Sequence, residues 1–171
     1  MDTDSRREHI LHAISHHNKP VSASSLAKEF NVSRQVIVGD VALLRAQGHE
    51  IIATARGYMI PTFNEANQYL GKVVCQHTPE NTKNELYTIV DLGAIVINVI
   101  VEHGFYGEIT GCLNLANRND VDIFMDKVKS SEIKLLSELT MGIHLHTIAC
   151  RNKTHFDEVC HALESEGYLY H

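Results

Sequence analysis

The sequence predicts an α+β protein of two units: a winged helix-turn-helix over residues 1–61 and, after a linker at 62–70, an open α/β sandwich over residues 71–171. The first part has the pattern helix, helix, turn, helix, hairpin, and the second has the pattern β-α-β-β-α-β-α with a mostly antiparallel sheet. Residues 1–61 carry seven basic and six acidic side chains, whereas the remainder carries eight and fifteen. Such a change in charge balance indicates separate units, and Pro61 marks the boundary between them.

Composition argues against several classes of protein. The chain has 171 residues, of which 44% are apolar and 21% are charged, close to the globular average. Its longest nearly uncharged apolar stretch, at 92–101, has ten residues, whereas a membrane-spanning helix needs about 20. The first residues are charged and rich in histidine, without the apolar core of a secretory signal. Four cysteines without a C-x-x-C pattern indicate reduced, buried thiols in a cytoplasmic protein. They are Cys75, Cys112, Cys150 and Cys160.

Serine residues mark the expected starts of the three N-terminal helices. Ser5 and Glu8 form a capping-box pattern, while Ser22 and Ser33 each precede a short amphipathic run. Asn31 tolerates the left-handed conformation and predicts the tight turn before the third helix. The apolar stripes of these helices predict one shared core. Its expected members are Ile10, Leu11, Ile14, Leu26, Ala27, Phe30, Val36, Ile37, Val41 and Leu44.

The third helix and the hairpin carry the candidate contacts to double-stranded DNA. Gly48 ends the helix, and residues 51–54 and 57–60 predict the two strands of a wing. Arginine and glutamine at the exposed start of a recognition helix read guanine and adenine edges, and serine at the helix N-terminus binds phosphate. Arginines late in the helix and at the wing tip suit phosphate or minor-groove contacts. The alternative is a helix-turn-helix that makes only protein contacts. The DNA-contact candidates are Ser33, Arg34, Gln35, Arg45 and Arg56.

Alternating strand and helix patterns predict the second unit. Runs of β-branched residues indicate strands, and apolar residues three and four apart indicate helices. Gly167 ends the last helix. The order of the elements predicts an open sheet with helices on one face. The predicted strands are 71–76, 94–102, 108–115 and 142–150, and the predicted helices begin at Thr82 and cover 120–128 and 156–164.

Three histidines and a glutamate in this unit predict a metal site. His144 and His146 alternate with apolar residues in a strand, so both imidazoles lie on one face, about 6.5–7 Å apart. His77 follows the first strand, and Glu85 lies in the first turn of the next helix. Three nitrogens with one or two oxygens suit Zn, Ni, Co, Fe or Mn. The same set does not suit Mg or Ca, which prefer oxygen ligands.

Each of these residues also has an alternative interpretation. Glu85 fits a capping box with Thr82, in which case it stabilises only the helix start. Cys75 and Cys150 share strand faces with His77 and His146, either as competing ligands or as buried thiols. His103 is a ligand, a substrate contact or a hydrogen-bonded residue at a strand end. We expect the remaining histidines to be solvated; they are His9, His12, His16, His17, His49, His155, His161 and His171.

Taken together, the motifs of the second unit and the winged helix resemble a known family. This combination is similar to the nicotinate-responsive repressors of bacteria, often called NiaR-type, which join a winged helix to a three-histidine (3H) domain. The resemblance spans residues 5–168, although Gly104 stands where the family commonly has proline, and a proline usual near residues 135–136 is absent. The segments that carry it are His77-Thr78, Glu85-Leu86, Val101-Glu102-His103-x-x-Tyr106-Gly107-Glu108-Ile109, Asn117-Arg118-x-Asp120-Val121 and Leu139-Thr140-x-Gly142-Ile143-His144-Leu145-His146-Thr147-Ile148.

The resemblance implies a homodimeric repressor of genes for NAD synthesis or niacin uptake, with nicotinic acid as co-repressor and a palindromic operator. It also implies a metal held by His77, Glu85, His144 and His146. As candidates for the wall of the effector pocket we take His103, Tyr106 and Arg118, of which Arg118 suits a carboxylate or is a surface residue. We expect metal and effector to set the spacing of two recognition helices, about 34–36 Å apart.

Two other functions are consistent with the metal-site residues. A metal-responsive transcription regulator would use the ion itself as the signal. A small metal-dependent enzyme would need a general acid or a nucleophile beside the ion, and the sequence offers none of clear placement. We therefore expect that the protein is not an enzyme.

Overall fold

The computed structural model describes residues 2–61 and 68–171, which form two compact units dividing near residue 62. Most of the predicted linker at 62–70 lies outside the described residues. Tyr69 and Leu70 already belong to the first strand of the second unit, so this strand begins two residues earlier than predicted. Within the described ranges, no helix is both long enough and apolar enough to cross a membrane.

The first unit is a three-helix bundle with a β-hairpin, as predicted. Each helix begins after a capping side chain, and Ser22 and Ser33 cap α2 and α3 as expected. The prediction for α1 is wrong by one turn, because Asp2 and not Ser5 is the cap, with Asp2 accepting a hydrogen bond from the Ser5 N–H. The elements are α1 (Thr3–His16), α2 (Ala23–Glu29), α3 (Arg34–Ala46), β1 (Ile52–Thr54) and β2 (Gly57–Met59).

The wing is anchored to the chain before α2. Val21 and Tyr58 exchange two backbone hydrogen bonds of 2.8 Å, so Val21 forms an isolated β-bridge beside β2. Gly57 allows this close approach: its φ is +141°, and a Cβ there would lie 2.4 Å from the Val21 carbonyl oxygen. The turn of the hairpin is therefore held against the helices by backbone contacts that only glycine permits.

The core of the first unit differs from prediction at two points. Val36 was expected inside but is 37% exposed, because the buried stripe of α3 runs through Ile37, Val41 and Leu44 and leaves Val36 to one side. Asp40 was not expected inside but is 4% exposed. Its carboxylate pairs with two arginines of α1. The contacts are Arg6 Nε to Asp40 Oδ2 at 2.7 Å and Arg7 Nε to Asp40 Oδ1 at 3.2 Å.

The second unit has the predicted order β-α-β-β-α-β-α. Short 3₁₀ turns at Pro79–Asn81 and Leu136–Thr140 precede α4 and β6. Asn81 and not Thr82 is the N-cap of α4, and Thr82 is its first helical residue. The elements are β3 (Tyr69–Gln76), α4 (Thr82–Asp91), β4 (Ile95–His103), β5 (Gly107–Leu115), α5 (Arg118–Lys129), β6 (Ile143–Cys150) and α6 (Lys153–Ser165).

The four strands form one antiparallel sheet in the order β3-β6-β4-β5, which places β6 in the interior of the sheet. Helix α6 packs so closely on this sheet that a Cβ at Gly71 would lie 2.2 Å from the Phe156 ring. The chain after α6 returns along β3, where the Gln76 N–H donates to the Tyr168 carbonyl and the Tyr170 N–H donates to the Val74 carbonyl. The outer side of β3 is thus covered by the C-terminal segment.

Candidate metal centre and candidate DNA surface

The structure brings the four predicted metal-ligating side chains together. Glu85, on the inner side of α4, reaches the sheet face that carries His144 and His146, and His77 comes from the end of β3. The carboxylate lies 2.6 Å from the His77 Nε2, 2.9 Å from the His144 Nε2 and 3.2 Å from the His146 Nε2. All four side chains are at most 3% exposed. Three imidazoles therefore converge on one buried carboxylate.

Backbone carbonyls fix the tautomer of each of these histidines. The His77 Nδ1 lies 2.8 Å from its neighbour's carbonyl oxygen, the His144 Nδ1 lies 2.8 Å from that of Gly142, and the His146 Nδ1 lies 2.7 Å from that of Asn98. A carbonyl oxygen only accepts hydrogen bonds, so each Nδ1 carries the proton. In the neutral ring each Nε2 then presents a lone pair to Glu85. Histidines that bind a metal through one ring nitrogen usually donate a hydrogen bond from the other ring nitrogen, as these three do from Nδ1.

The result is a buried cluster of acceptors that needs a proton or a cation between them. Three Nε2 lone pairs face the oxygens of Glu85, and acceptors at hydrogen-bond distance repel unless a proton or a metal lies between them. The His146 Nε2 is buried and has no hydrogen-bond partner among the described residues. Nitrogen and carboxylate donors of this number suit a divalent transition metal. The residues present therefore fit the predicted ion.

Electrostatics in this cluster favour the charged forms. Burial acts to raise the pKa of Glu85, but the charge of His146 and the close contacts with the three imidazoles outweigh it and hold that pKa well below its usual range. Burial acts to lower the pKa values of His77 and His146, and the Glu85 carboxylate reverses this and raises both. Glu85 is thus kept as a carboxylate, and the alternative in which it only caps α4 is wrong.

Two further residues shape the centre. Gly142 precedes β6 with φ of +88°, and a Cβ there would lie 2.4 Å from the His77 carbonyl oxygen, so glycine lets β6 approach the end of β3. Cys75 pairs with His144 across β3 and β6 and is 0% exposed. Its Sγ, a Glu85 oxygen and a His144 nitrogen all lie within 4.8 Å of one another. Burial and the Glu85 carboxylate raise the pKa of this thiol.

A small cavity adjoins the cluster. It is partly open to solvent, and its volume of about 30 Å³ is room for two or three water molecules. The Thr82 hydroxyl on its wall is buried and has no hydrogen-bond partner among the described residues. The walls are otherwise mostly apolar. Besides the cluster itself, the lining residues are Thr82, Leu86, Val99, Leu113, Phe124, Leu135, Leu136 and Ser137.

The three residues predicted for the pocket wall do not line this cavity. The His103 Nδ1 accepts hydrogen bonds of 3.2 Å from the N–H groups of Phe105 and Tyr106 and so holds the β4–β5 turn. Tyr106 is 74% exposed. Arg118 makes two hydrogen bonds, of 2.7 and 2.6 Å, to the carboxylate of Asp91. Its guanidinium is engaged within the unit and its side chain is 60% exposed, in keeping with the alternative that Arg118 is a surface residue.

One histidine expected to be solvated is buried. His155 is 3% exposed, and its Nδ1 accepts from the Arg151 N–H while its Nε2 donates to the Leu92 carbonyl. It therefore ties the start of α6 to the end of α4. Its ring has the opposite tautomer to those at the metal centre, and both of its nitrogens are satisfied, so His155 is a structural residue.

The candidate DNA residues lie where the helix-turn-helix prediction requires. Ser33 caps α3 through a 3.3 Å hydrogen bond from the Val36 N–H, and its side chain is therefore engaged at the helix start. Arg34, Gln35 and Arg45 are exposed along α3. Arg56 is at the hairpin turn and only partly exposed, with its N–H donating to the Thr54 hydroxyl.

Comparisons with known proteins assign both units. Residues 6–59 match the model of a helix-turn-helix domain, and residues 71–171 match that of the 3H domain. The chain is 39% identical over 166 residues to the transcription repressor NadR of Bacillus subtilis, covering 96% of this chain and 92% of that protein. It is 36% identical over 164 residues to a probable transcription repressor, NiaR, of Thermotoga maritima, covering 96% and 93%. The chain therefore belongs to the 3H-domain family of helix-turn-helix transcription repressors, and it is a regulator and not an enzyme.

Proposed function

We propose that this repressor controls genes of NAD synthesis or niacin uptake, with nicotinic acid as co-repressor and a divalent transition metal in its 3H unit. The observation that carries the proposal is the convergence of three imidazole Nε2 atoms on the buried Glu85 carboxylate. The nature of the effector and of the target genes follows from the resemblance to nicotinate-responsive repressors. The ion would be Ni, Zn, Fe, Co or Mn, in keeping with the donor set.

The metal would be held by His77, Glu85, His144 and His146. Bound there, it would supply a Lewis-acidic centre able to coordinate the carboxylate or ring nitrogen of a pyridine carboxylic acid. The chain's own contribution is to orient the imidazoles through their carbonyl hydrogen bonds and to exclude water by burying the ligands. A centre with protein ligands on one side and a cavity on the other leaves a position for a small molecule.

The cavity beside the cluster is the proposed effector site. Its apolar walls suit an aromatic ring, and the unpaired hydroxyl of Thr82 suits a carboxylate. The cavity is partly open to solvent, and its volume of about 30 Å³ is smaller than a pyridine ring with its carboxylate. We propose that binding moves the segment that contributes Leu135, Leu136 and Ser137 outward. Such a movement gives the effector different affinities for two conformations, which is what allows a ligand to shift an equilibrium.

For DNA binding, we propose a homodimer that places two copies of α3 in successive major grooves of a palindromic operator, about 34–36 Å apart. The exposed Arg34 and Gln35 at the start of α3 would contact base edges. Arg45 and Arg56 would contact phosphates. Effector and metal would favour the arrangement of the dimer that matches this spacing.

Fluorescence anisotropy on a palindromic operator tests the proposal. Nicotinic acid should tighten DNA binding by the metal-loaded protein, and benzoic acid, which keeps the carboxylate but lacks the ring nitrogen, measures the contribution of that nitrogen. Arg34→Ala should weaken operator binding by about 10–100-fold without changing metal content. Unchanged affinity at saturating nicotinic acid would remove the co-repressor assignment. DNA affinity that follows the metal at fixed nicotinic acid would favour the metal-responsive regulator instead.

A further inference from the structure

We propose that Cys75 is an additional ligand of the same metal, so that the complete donor set is three imidazoles, one carboxylate and one thiolate. This inference rests on the proposed metal centre and extends it by one residue. Cys75 lies on β3 two residues before His77, so both side chains lie on the same face of the sheet. Strand β3 then contributes Cys75, the residue after it contributes His77, β6 contributes two ligands and α4 contributes Glu85.

The first argument is geometric. Cys75 and His144 are directly opposed in the β3–β6 pairing, which brings their side chains together on the buried face. The Cys75 Sγ, the nearest Glu85 oxygen and a His144 nitrogen lie within 4.8 Å of one another. Metal–sulfur bonds of about 2.3 Å and metal–nitrogen bonds of about 2.1 Å separate two ligand atoms by about 3.1–4.4 Å for angles of 90–180°. The three atoms therefore lie close to the spacing that the ligands of one ion require.

The second argument is the charge of the loaded site. A divalent ion with three neutral imidazoles and one carboxylate keeps a net charge of +1 in a place where Glu85 is 1% exposed. Burying an uncompensated charge is costly. Among the described residues grouped as possible ligands around Glu85, Cys75 is the one further side chain able to carry a negative charge. A thiolate at Cys75 brings the net charge of the site to zero.

Binding through sulfur needs no redox partner. As the metal–sulfur bond forms, the thiol releases its proton to solvent and the metal keeps its oxidation state. The electron pair of the thiolate becomes the coordinate bond. A sulfur donor also narrows the choice of ion, because soft thiolates favour Zn, Co, Ni and Fe over Mn and Mg.

Cobalt substitution of the full-length protein tests the ligand directly. Co²⁺ bound to a thiolate has an intense charge-transfer absorption in the near ultraviolet, in addition to the weak visible bands that any Co²⁺ site has. We expect this ultraviolet band in the wild-type protein at one equivalent of Co²⁺. We expect its loss in Cys75→Ser, with the visible bands retained.

Cys150→Ser is the matched control. Cys150 is also buried and lies at the far end of β6, opposite Tyr69 and about 13 Å along the strand from His146. This variant should keep the ultraviolet band. If Cys75→Ser does not fold, X-ray absorption of the Zn-loaded wild type replaces it, and one sulfur neighbour at about 2.3 Å is expected.

The outcomes separate this inference from the proposed function. Visible Co²⁺ bands without the ultraviolet band, or Zn with only nitrogen and oxygen neighbours, overturn the role of Cys75 and leave the four-residue centre standing. If the ultraviolet band survives in Cys75→Ser, the sulfur ligand belongs to another cysteine. This result also overturns the role of Cys75. Failure of the wild-type protein to bind Co²⁺ or Zn²⁺ at all contradicts the proposed metal centre itself.

Discussion

Each unit of this protein buries a carboxylate among basic side chains, and the two carboxylates differ in what neutralises them. Asp40 of α3 is 4% exposed and Glu85 of α4 is 1% exposed. Asp40 is paired with Arg6 and Arg7, whose guanidinium groups stay charged at any physiological pH. Glu85 is paired with three imidazoles, and each of these donates its one neutral-state proton to a backbone carbonyl.

The comparison separates a structural ion pair from a ligand site. The Asp40 cluster is complete within the chain, and it fixes the orientation of the helix that carries the candidate DNA contacts. With neutral imidazoles the Glu85 cluster has more acceptors than donors, so it needs a proton or a metal to be stable. Burial of an acidic residue therefore indicates a ligand site only when its partners lack the protons to satisfy it.

The largest effect should come from the backbone that holds the Glu85 cluster together. Gly142→Ala forces a left-handed φ on alanine and places its Cβ 2.4 Å from the His77 carbonyl oxygen. We expect the 3H unit to lose about 3 kcal/mol or more of its free energy of unfolding, together with metal affinity. Urea-dependent hydrogen exchange of β6 amides and metal titration measure both.

Gly93→Ala is the control for this substitution. Gly93 has a φ of +83°, but a Cβ there would meet no atom within 4 Å. It should cost about 1–2 kcal/mol through strain alone and leave metal affinity unchanged. Equal losses in the two variants would mean that the approach of β6 to His77 does not matter.

A smaller effect is expected for the Asp40 cluster. Asp40→Ala removes the acceptor of hydrogen bonds from Arg6 and Arg7, so the N-terminal unit should lose about 1–3 kcal/mol, with or without metal. Hydrogen exchange of α1 and α3 amides in the full chain reports this loss.

The Asp4 carboxylate, which pairs with Arg7 but is 90% exposed, offers the control. Asp4→Ala should change stability by under about 0.5 kcal/mol, and an equal effect of both variants would refute a buried role for Asp40.

The dependence of stability on pH should have opposite slopes with and without metal. In metal-free protein, the pKa values of His77 and His146 are raised above 6.5, so their stabilisation is complete below pH 6.5 and is lost as the pH rises through the raised values. The pKa of Glu85 is lowered well below 4.5, so its contribution persists above pH 4.5. Metal binding to neutral imidazoles releases protons and strengthens as the pH rises.

Thermal unfolding between pH 5.5 and 8.5, with a chelator and with Zn²⁺, measures both slopes. Without metal, stability should fall above pH 6.5, by up to about 1.4 kcal/mol per pH unit for each of the two histidines. With metal it should rise over the same range. If stability depends on pH in the same way with and without Zn²⁺, protons and the metal do not compete for the imidazoles.

The smallest effect on stability is expected for Glu85→Gln in metal-free protein at a pH above the raised pKa values of His77 and His146, where the imidazoles are neutral. The amide of glutamine donates hydrogen bonds, so it satisfies imidazole lone pairs that a carboxylate repels. We expect the metal-free unfolding free energy at this pH to change by less than about 1 kcal/mol, while metal affinity falls sharply. A loss of several kcal/mol without metal would place Glu85 in the same class as Asp40.

The parts of the fold that follow local rules could be predicted from the sequence. Serines followed by amphipathic runs predicted the starts of α2 and α3, and Asn31 has the expected left-handed φ of 53°. Strand alternation predicted that His144 and His146 lie on one face, where both are buried. These features depend on backbone geometry that is set within a few residues.

Features that depend on distant contacts could not be predicted in this way. Asp40 is buried because two arginines more than thirty residues earlier reach it, and a charged residue on an amphipathic helix otherwise predicts a solvent position. Arg118 pairs with Asp91, which is 27 positions away, and no local pattern indicates that pairing. His155 is likewise buried because of a distant contact, the hydrogen bond from its Nε2 to the Leu92 carbonyl. The cavity residues from 135–137 carried no chemical motif at all.

Metal content of the purified protein, determined by elemental analysis for the wild type and for the double variant His144→Ala/His146→Ala, tests the central claim most directly. We predict about one divalent transition-metal ion per chain in the wild type and close to none in the double variant, since two of three nitrogen ligands are removed. Circular dichroism confirms that the variant is folded. Equal metal content in the two proteins would contradict the proposal that the histidines around Glu85 hold the ion.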